Sequence, residues 1–479
     1  MWKNIFKTNV AYVLGSAASS LALVVLIPFL VNNLSTEDYG IWSIYELTVT
    51  FFSMVLIAGL DSGLMREYWF IKDLNERKKL VSTIFVAIIL WSLFIFLLSS
   101  IATMLWNNFS SGQYLNNSDF LILFFLSLFE SLFLYFLSIL RIQEKAYLFS
   151  FLSVGKLILL TFFVIYGVNN IGGIYGALIG RLCVSIIMAL IAFFLVRKNF
   201  SLSFDKKNFV KALKYGLPLL PTNISSYILF ALDRYVLQAL TNLEIVAIYS
   251  FSYKISTIFD ILINRPFAMD WAPRRFKIEA NQDAPKKFAN VVLVYLFISI
   301  FFVIGVYVVS PLVYDLFAPI EYHVGRSVLL ILLLSYVIYG LSYPLNVGIM
   351  LRDKTKYLPI VGLVSLVSCL LLTFYLVPLY GMYGAAWACL LSYAIWTFLI
   401  TYISMKIYHI PYNYSQIIFI CATAFVSYMS TSIVDIFSNM LPMSIFMNAV
   451  VKAVIVIFFA AVSFYWLFKN NKDLLSAWK

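Results

Sequence analysis

The sequence predicts an all-α polytopic membrane protein with about 14 transmembrane helices, arranged as two parallel six-helix lobes plus two C-terminal helices. Three observations carry that expectation. Apolar runs of about twenty residues recur along the whole chain, basic residues collect in alternate loops, and short motifs return at a near-constant offset.

The apolar runs come first. Of 479 residues, 63% are hydrophobic and only 12% are charged, against about 25% charged in an ordinary soluble domain. A soluble core cannot absorb that much apolar surface, whereas runs of this length match about 30 Å of hydrocarbon. They fall at 8–31, 39–60, 80–106, 119–140, 147–166, 174–196, 217–239, 245–266, 288–308, 328–350, 357–379, 383–405, 415–436 and 444–468. The first follows Met1 to Lys7, lacks a small-residue cleavage site and is too long for a signal peptide, so it reads as a membrane helix.

Orientation follows from the basic residues. With both termini in the cytoplasm, the inner loops hold Arg66, Lys72, Arg77, Lys78 and Lys79, then Arg141 and Lys145, then Arg197, Lys198, Lys206, Lys207, Lys211 and Lys214. Later inner segments add Arg274, Arg275, Lys277, Lys286, Lys287, Arg352, Lys354, Lys356 and Lys406, and the tail Lys469, Lys472 and Lys479. Outer loops 32–38, 107–118, 167–173 and 380–382 contain no Lys or Arg. This is the positive-inside pattern, and it accounts for the net charge of +12 without nucleic acid, whose readers cluster basic and aromatic residues on a soluble face. The longer inner loops 197–216 and 272–287 read as basic amphipathic helices on the anionic inner leaflet.

The repeats define the lobes. Glu37 to Ser43 returns as Glu244 to Ser250, Gly173-Ile174-Tyr175-Gly176-Ala177 as Gly381-Met382-Tyr383-Gly384-Ala385, and Arg141, Lys145 and Tyr147-Leu148 as Arg352, Lys356 and Tyr357-Leu358. Offsets of about 207 to 211 residues indicate one duplicated six-helix unit. Six is even, so both copies point the same way. The expected division is an N-lobe over 1–200, a C-lobe over 201–410, and the last two helices with a cytoplasmic tail over 411–479.

Soluble-enzyme chemistry finds no apparatus. Cys183, Cys369, Cys389 and Cys421 lie in apolar runs without CxxC spacing, so neither a disulfide framework nor a metal site is expected. Gly155-Lys156 lacks the rest of a P-loop, His323 and His409 stand apart, and neither HExxH nor GxSxG occurs. No cofactor is implied. Without an ATP site, transport must draw on an ion gradient, the membrane potential or the substrate gradient.

Charges inside the runs remain to be explained, since each costs at least about 2.5 kcal/mol without a partner or a wet cavity. Lys156, Arg181, Arg234 and Lys254 are the cations; Glu46, Glu130, Asp233 and Asp260 are the acids. One reading pairs them as helix-locking ion pairs. The other lines a water-filled cationic cavity between the lobes, which favours an anionic cargo such as a phosphate or pyrophosphate. Asp233 and Arg234 are adjacent, about 100° apart on a helix, so each is expected to meet another helix and not simply to neutralise its neighbour. Asp61, in Gly59-Leu60-Asp61-Ser62-Gly63, reads as a helix-end or transport residue, and Lys452 and Arg326 as snorkelling or locally paired.

Leu34-Ser35-Thr36-Glu37-Asp38-Tyr39-Gly40, Gly59-Leu60-Asp61-Ser62-Gly63 with Arg66 after it, and Leu232-Asp233-Arg234-Tyr235, in this order on this architecture, resemble the Wzx-type polysaccharide transporters. These lipid-linked oligosaccharide flippases belong to the multidrug/oligosaccharidyl-lipid/polysaccharide (MOP) exporter superfamily. The resemblance implies two lobes around a cavity that opens alternately inward and outward in a bacterial plasma (inner) membrane. It implies an oligosaccharide on undecaprenyl pyrophosphate as substrate, passed to the outer leaflet while the polyprenyl tail stays in lipid. It also implies partnership with glycosyltransferase and polysaccharide polymerase machinery for O-antigen, capsule or exopolysaccharide. Lys156, Arg181, Arg234 and Lys254 are the positions that fit the family's cationic cavity, and Asp233, Asp260 and Glu46 the candidates for coupling to H+ or Na+. A drug or metabolite antiporter of the same superfamily is the alternative. A membrane glycan polymerase or ligase would need a longer outer loop than this chain has.

Overall fold

The computed structural model describes residues 25–109, 117–201, 203–440, 445–471 and 474, and among them there is no strand. Among the described residues twelve helices are long and apolar enough to cross a membrane, and they cover predicted runs two to six and eight to fourteen. Most of the first run, 8–31, lies outside the described residues; residues 25–33 are helical. The seventh run forms a helix, Leu220–Leu240, that is not among the twelve. Asn223, Ser225, Ser226, Gln238 and the Asp233-Arg234 pair make it too polar, and such a helix needs protein or water around it and not bare lipid. The chain divides into two compact units, Met1–Ile228 and Leu229–Lys479.

In the first unit, α1 (Thr36–Ile57) starts on Ser35, whose Oγ accepts from Asp38 N at 3.0 Å, with Glu37 and Asp38 in the positive first turn. It breaks at Ala58 and Gly59, both left-handed (φ 51° and 69°), before α2 (Leu60–Phe70) resumes with Asp61 in its first turn. Asp61 therefore sits at a helix start, where a carboxylate is favoured. After α2 come α3 (Leu74–Phe109), α4 (Asn117–Ile142), α5 (Ala146–Asn170), α6 (Gly173–Val196) and the short α7 (Lys206–Gly216). A Cβ on Gly59 would strike the Gly216 carbonyl, and one on Gly63 the Ala212 carbonyl. The Gly59 to Gly63 motif is thus a close-approach seat for α7.

Helix α7 is capped by Asp205, which accepts from Asn208 N at 3.0 Å. Its Lys206, Lys207, Lys211 and Lys214 are exposed, while Ala212 is buried and Phe209 and Leu213 pack on the core. That core is built on Phe85, Phe136, Phe193 and Phe200, and Tyr135 donates its hydroxyl to Val81 O at 2.6 Å.

The division between the units falls within α8 (Leu220–Leu240), after Ile228; in the second unit α9 (Leu243–Phe259), a π turn at Asp260–Asn264 and α10 (Arg265–Glu279) make one 37-residue helix. Asn264, fully buried in that turn, donates to Tyr336 O at 3.2 Å and accepts from Tyr295 Oη at 2.6 Å. The surplus residue of the π turn is held by specific partners. The segment 272–287 is therefore not a surface amphipathic helix: 272–279 extend the membrane helix, and 284–287 open α11 (Ala284–Phe317). The reason is the apolar spacing of Phe267, Trp271 and Ile278, which keeps one side of the extension packed on Ala284, Phe288 and Val347.

Beyond α11 lie α12 (Arg326–Leu345), α13 (Val347–Leu351), α14 (Tyr357–Tyr380), α15 (Met382–Ile407), α16 (Tyr414–Met440) and α17 (Ile445–Asn470). Arg326 bonds Ser310 Oγ at 3.2 Å and lies 5.5 Å from the Tyr307 ring, a local pairing. Lys452 is buried at 3% exposure, so it does not snorkel.

The three repeated motifs are helix junctions. Ser35 and Asn242, 207 positions apart, are N-caps of α1 and α9, the second accepting from Ile245 N at 2.9 Å. Gly176 and Gly384 each seat a helix against the one before it, where a Cβ would strike Gly167 and Leu376 carbonyls. The Arg141 and Arg352 loops each turn through one left-handed residue, Glu144 (φ 57°) and Asp353 (φ 51°).

Candidate functional site

The first unit gathers two of the four expected cations around one acid. Glu130, at mid-height of α4, uses both oxygens: Oε2 takes the Lys156 ammonium from α5, and Oε1 accepts from Ser185 Oγ of α6 at 3.0 Å. Lys156 Nζ also lies 4.3 Å from the Phe133 ring, one turn along from Glu130. Arg181, one turn before Ser185, is within Coulombic reach of the carboxylate, with its guanidinium 5.5 Å from the ring of buried Trp42 on α1. Glu46, a turn beyond Trp42, is half-buried. Two cations thus face the Glu130 carboxylate where α1, α4, α5 and α6 meet.

The second unit handles its charges differently. Asp233 and Arg234 are 4% and 5% exposed. Against expectation they do bond to each other, Arg234 Nε to Asp233 Oδ1 at 3.2 Å, and Asp233 also accepts the Arg234 backbone N–H at 2.9 Å. The 100° separation applies to the Cα–Cβ bonds; the four-bond arginine stem curls back across it, with Nη2 on the Phe230 carbonyl. Each partner also meets α9: Tyr249 donates to Asp233 Oδ2 at 2.6 Å, and the Tyr253 ring lies 3.9 Å from the Arg234 carbon.

Lys254 is half-buried on the same helix as these tyrosines. Asp260 opens the π turn and accepts from Arg265 Nε at 2.8 Å. Lys156 and Arg181 are therefore brought together, Asp233 and Arg234 are locked as a pair, and Lys254 and Asp260 stand further along α9 and the turn. In the sequence Glu130 stands among the acids inside the apolar runs but not among the candidate site residues, which also leave out Trp42, Ser185, Tyr249 and Tyr253. Of these, Trp42 and Tyr249 carry a signal, as matching positions of the repeated segments Glu37 to Ser43 and Glu244 to Ser250.

A cavity of about 550 Å³ elsewhere in the second unit is lined by apolar residues, among them Ile255, Phe301, Val309, Val456 and Ile457, and offers nothing to a phosphate or sugar. Among the described residues no cluster of three or more His, Cys, Asp or Glu could hold a metal ion.

The family model described as "Polysaccharide biosynthesis protein" matches residues 2–279. The "Putative O-antigen transporter" of Shigella flexneri is 24% identical over 401 residues, covering 80% of this chain and 93% of that one. The fold is similar to that of "Lipid II flippase MurJ, inward closed conformation", with a TM-score of 0.76, 16% identity, and coverage of 97% of this chain and 99% of that chain. An inward-facing multidrug resistance MATE family transporter of the MOP superfamily gives a TM-score of 0.61 at 17% identity, covering 83% of this chain and 94% of that one.

Proposed function

The chain belongs to the polysaccharide biosynthesis protein family, and from that premise we propose that it is a flippase for an oligosaccharide carried on undecaprenyl pyrophosphate. It carries the head group from the cytoplasmic to the outer leaflet of a bacterial plasma membrane by alternating access, with both termini cytoplasmic. The single observation behind this reading is the gathering of two cations, Lys156 and Arg181, about the Glu130 carboxylate at mid-height of the helices. Two cations gathered in membrane-length helices favour a dianionic or trianionic pyrophosphate over a neutral or cationic cargo. Lys254 is a further cation for the cargo, Asp260 or Glu46 couples transport to H+ or Na+, and Asp233 with Arg234 serves as a structural pair. Glycosyltransferases build the cargo, and a polymerase consumes it outside.

The test is surface glycan in cells carrying Lys156→Met and Arg181→Met together. The expected result is loss of surface glycan with the variant still at normal level in the membrane. Normal glycan at normal membrane level refutes the reading. The drug-antiporter alternative shares the fold, but a cationic drug is repelled by Lys156 and Arg181; efflux of a labelled cationic dye by the purified wild type would establish that alternative.

A further inference from the structure

We propose that Glu130 is the resident counter-anion of the Lys156 and Arg181 site: it holds Lys156 in the empty transporter, yields it to an entering phosphate group, and reclaims it on release. The inference rests on the reading of that site as a pyrophosphate site. It assigns Glu130 as a positioning residue that acts through Lys156 and not by touching the cargo.

Three features carry it. First, Glu130 is the acceptor for Lys156 and has its other oxygen fixed by Ser185, so the carboxylate stays in place if the lysine leaves. Second, the two cations differ in freedom. Both lie near a ring, Arg181 5.5 Å from Trp42 and Lys156 4.3 Å from Phe133, but Arg181 carries a planar guanidinium and Lys156 a compact charge on a flexible stem able to change partners. Third, neither member of the pair is sealed off: the Lys156 and Glu130 side chains retain 19% and 15% exposure. The Asp233 and Arg234 side chains retain only 5% and 6%, so the second unit's pair is built to stay and the first unit's pair to open.

The physical need follows from the charges. Two half-buried cations at membrane depth without a resident anion are costly when empty and would grip a phosphate too tightly to let it go. A flippase gains nothing from binding its cargo tightly on both sides of the membrane, just as uniform binding does not speed a catalysed step. A competing carboxylate removes both problems: it neutralises Lys156 between cycles and offsets part of the binding energy when cargo is present. If the pair were only a clamp between α4 and α5, removing the carboxylate would weaken the protein and could not strengthen anion binding.

The experiment titrates inorganic pyrophosphate into the purified full chain by calorimetry, for wild type, Glu130→Gln, Glu130→Asp, Glu130→Gln with Lys156→Met, and Lys156→Met with Arg181→Met. Glu130→Gln is expected to bind at least about tenfold tighter than wild type, because one unit of opposing charge is removed at close range. Adding Lys156→Met should erase that gain, and the double cation variant should not bind. Glu130→Asp, which keeps the charge but loosens the pair, is expected to bind about threefold tighter; it stands in if Glu130→Gln does not fold. Folded Glu130 variants with unchanged or weaker pyrophosphate affinity overturn the role of Glu130 while leaving the phosphate site intact. If neither wild type nor the folded Glu130 variants bind pyrophosphate, or if the double cation variant binds like wild type, the phosphate site itself falls, and this inference with it.

Discussion

Replacing Asp233 by Asn keeps the shape of the side chain but strips the charge that holds Arg234 inside the second unit. The guanidinium, 5% exposed, would keep the Phe230 carbonyl and the Tyr253 face but lose its counterion, and Tyr249 would exchange a 2.6 Å bond to a carboxylate for one to a neutral amide. Breaking a buried pair from one side costs about 3–5 kcal/mol, and Arg234→Met, which strands the aspartate, costs a similar amount. Removing both charges together, as Asp233→Asn with Arg234→Met, leaves no uncompensated charge. The double variant should therefore be less destabilised than the sum of the singles by at least about 2 kcal/mol. Reversible unfolding of the purified protein in mixed micelles, read as a double-mutant cycle, measures this coupling. Additive effects, or a near-neutral Asp233→Asn, would refute the description of the two residues as one structural unit. Such a result would return Asp233 to the candidates for ion coupling.

Gly63→Val forces a side chain into the Ala212 carbonyl; it should destabilise by about 1–3 kcal/mol and make 201–216 more sensitive to limited proteolysis, whereas an uncut linker would contradict the close-approach seat. Asn264→Ala removes the partners of Tyr295 Oη and the Tyr336 carbonyl and should cost about 2–5 kcal/mol, seen as a lower melting temperature in detergent. Ser35→Ala and Asn242→Ala, the paired caps of the two repeats, should each cost about 1 kcal/mol, and a clear inequality would argue against their equivalent roles.

The helices were legible because the bilayer imposes one length on every crossing: runs of about twenty apolar residues need no knowledge of their neighbours to be recognised. The duplication was legible for a similar reason, since caps such as Ser35 and Asn242 and close-packing glycines such as Gly176 and Gly384 are local devices with fixed residue requirements. The long helix through the π turn was not. Asp260, Arg265, Asp270, Arg274 and Arg275 look like the end of a membrane run, and only Trp271 and Ile278, buried against other helices, carry the helix onward.

The charged residues divide along the same line. Sequence alone determined that this protein lives in a membrane, that its basic residues collect in alternate loops, and that Lys156, Arg181, Arg234, Lys254 and their acidic counterparts would need a reason to be there. Tertiary structure alone decided which partners they meet: Arg234 curls back onto Asp233, while Lys156 and Arg181 share Glu130. Apolarity is a property of each segment summed along the chain, whereas an ion pair depends on how three or four helices are rotated about their axes and on the rotamer of a long flexible stem. A one-dimensional pattern does not encode either.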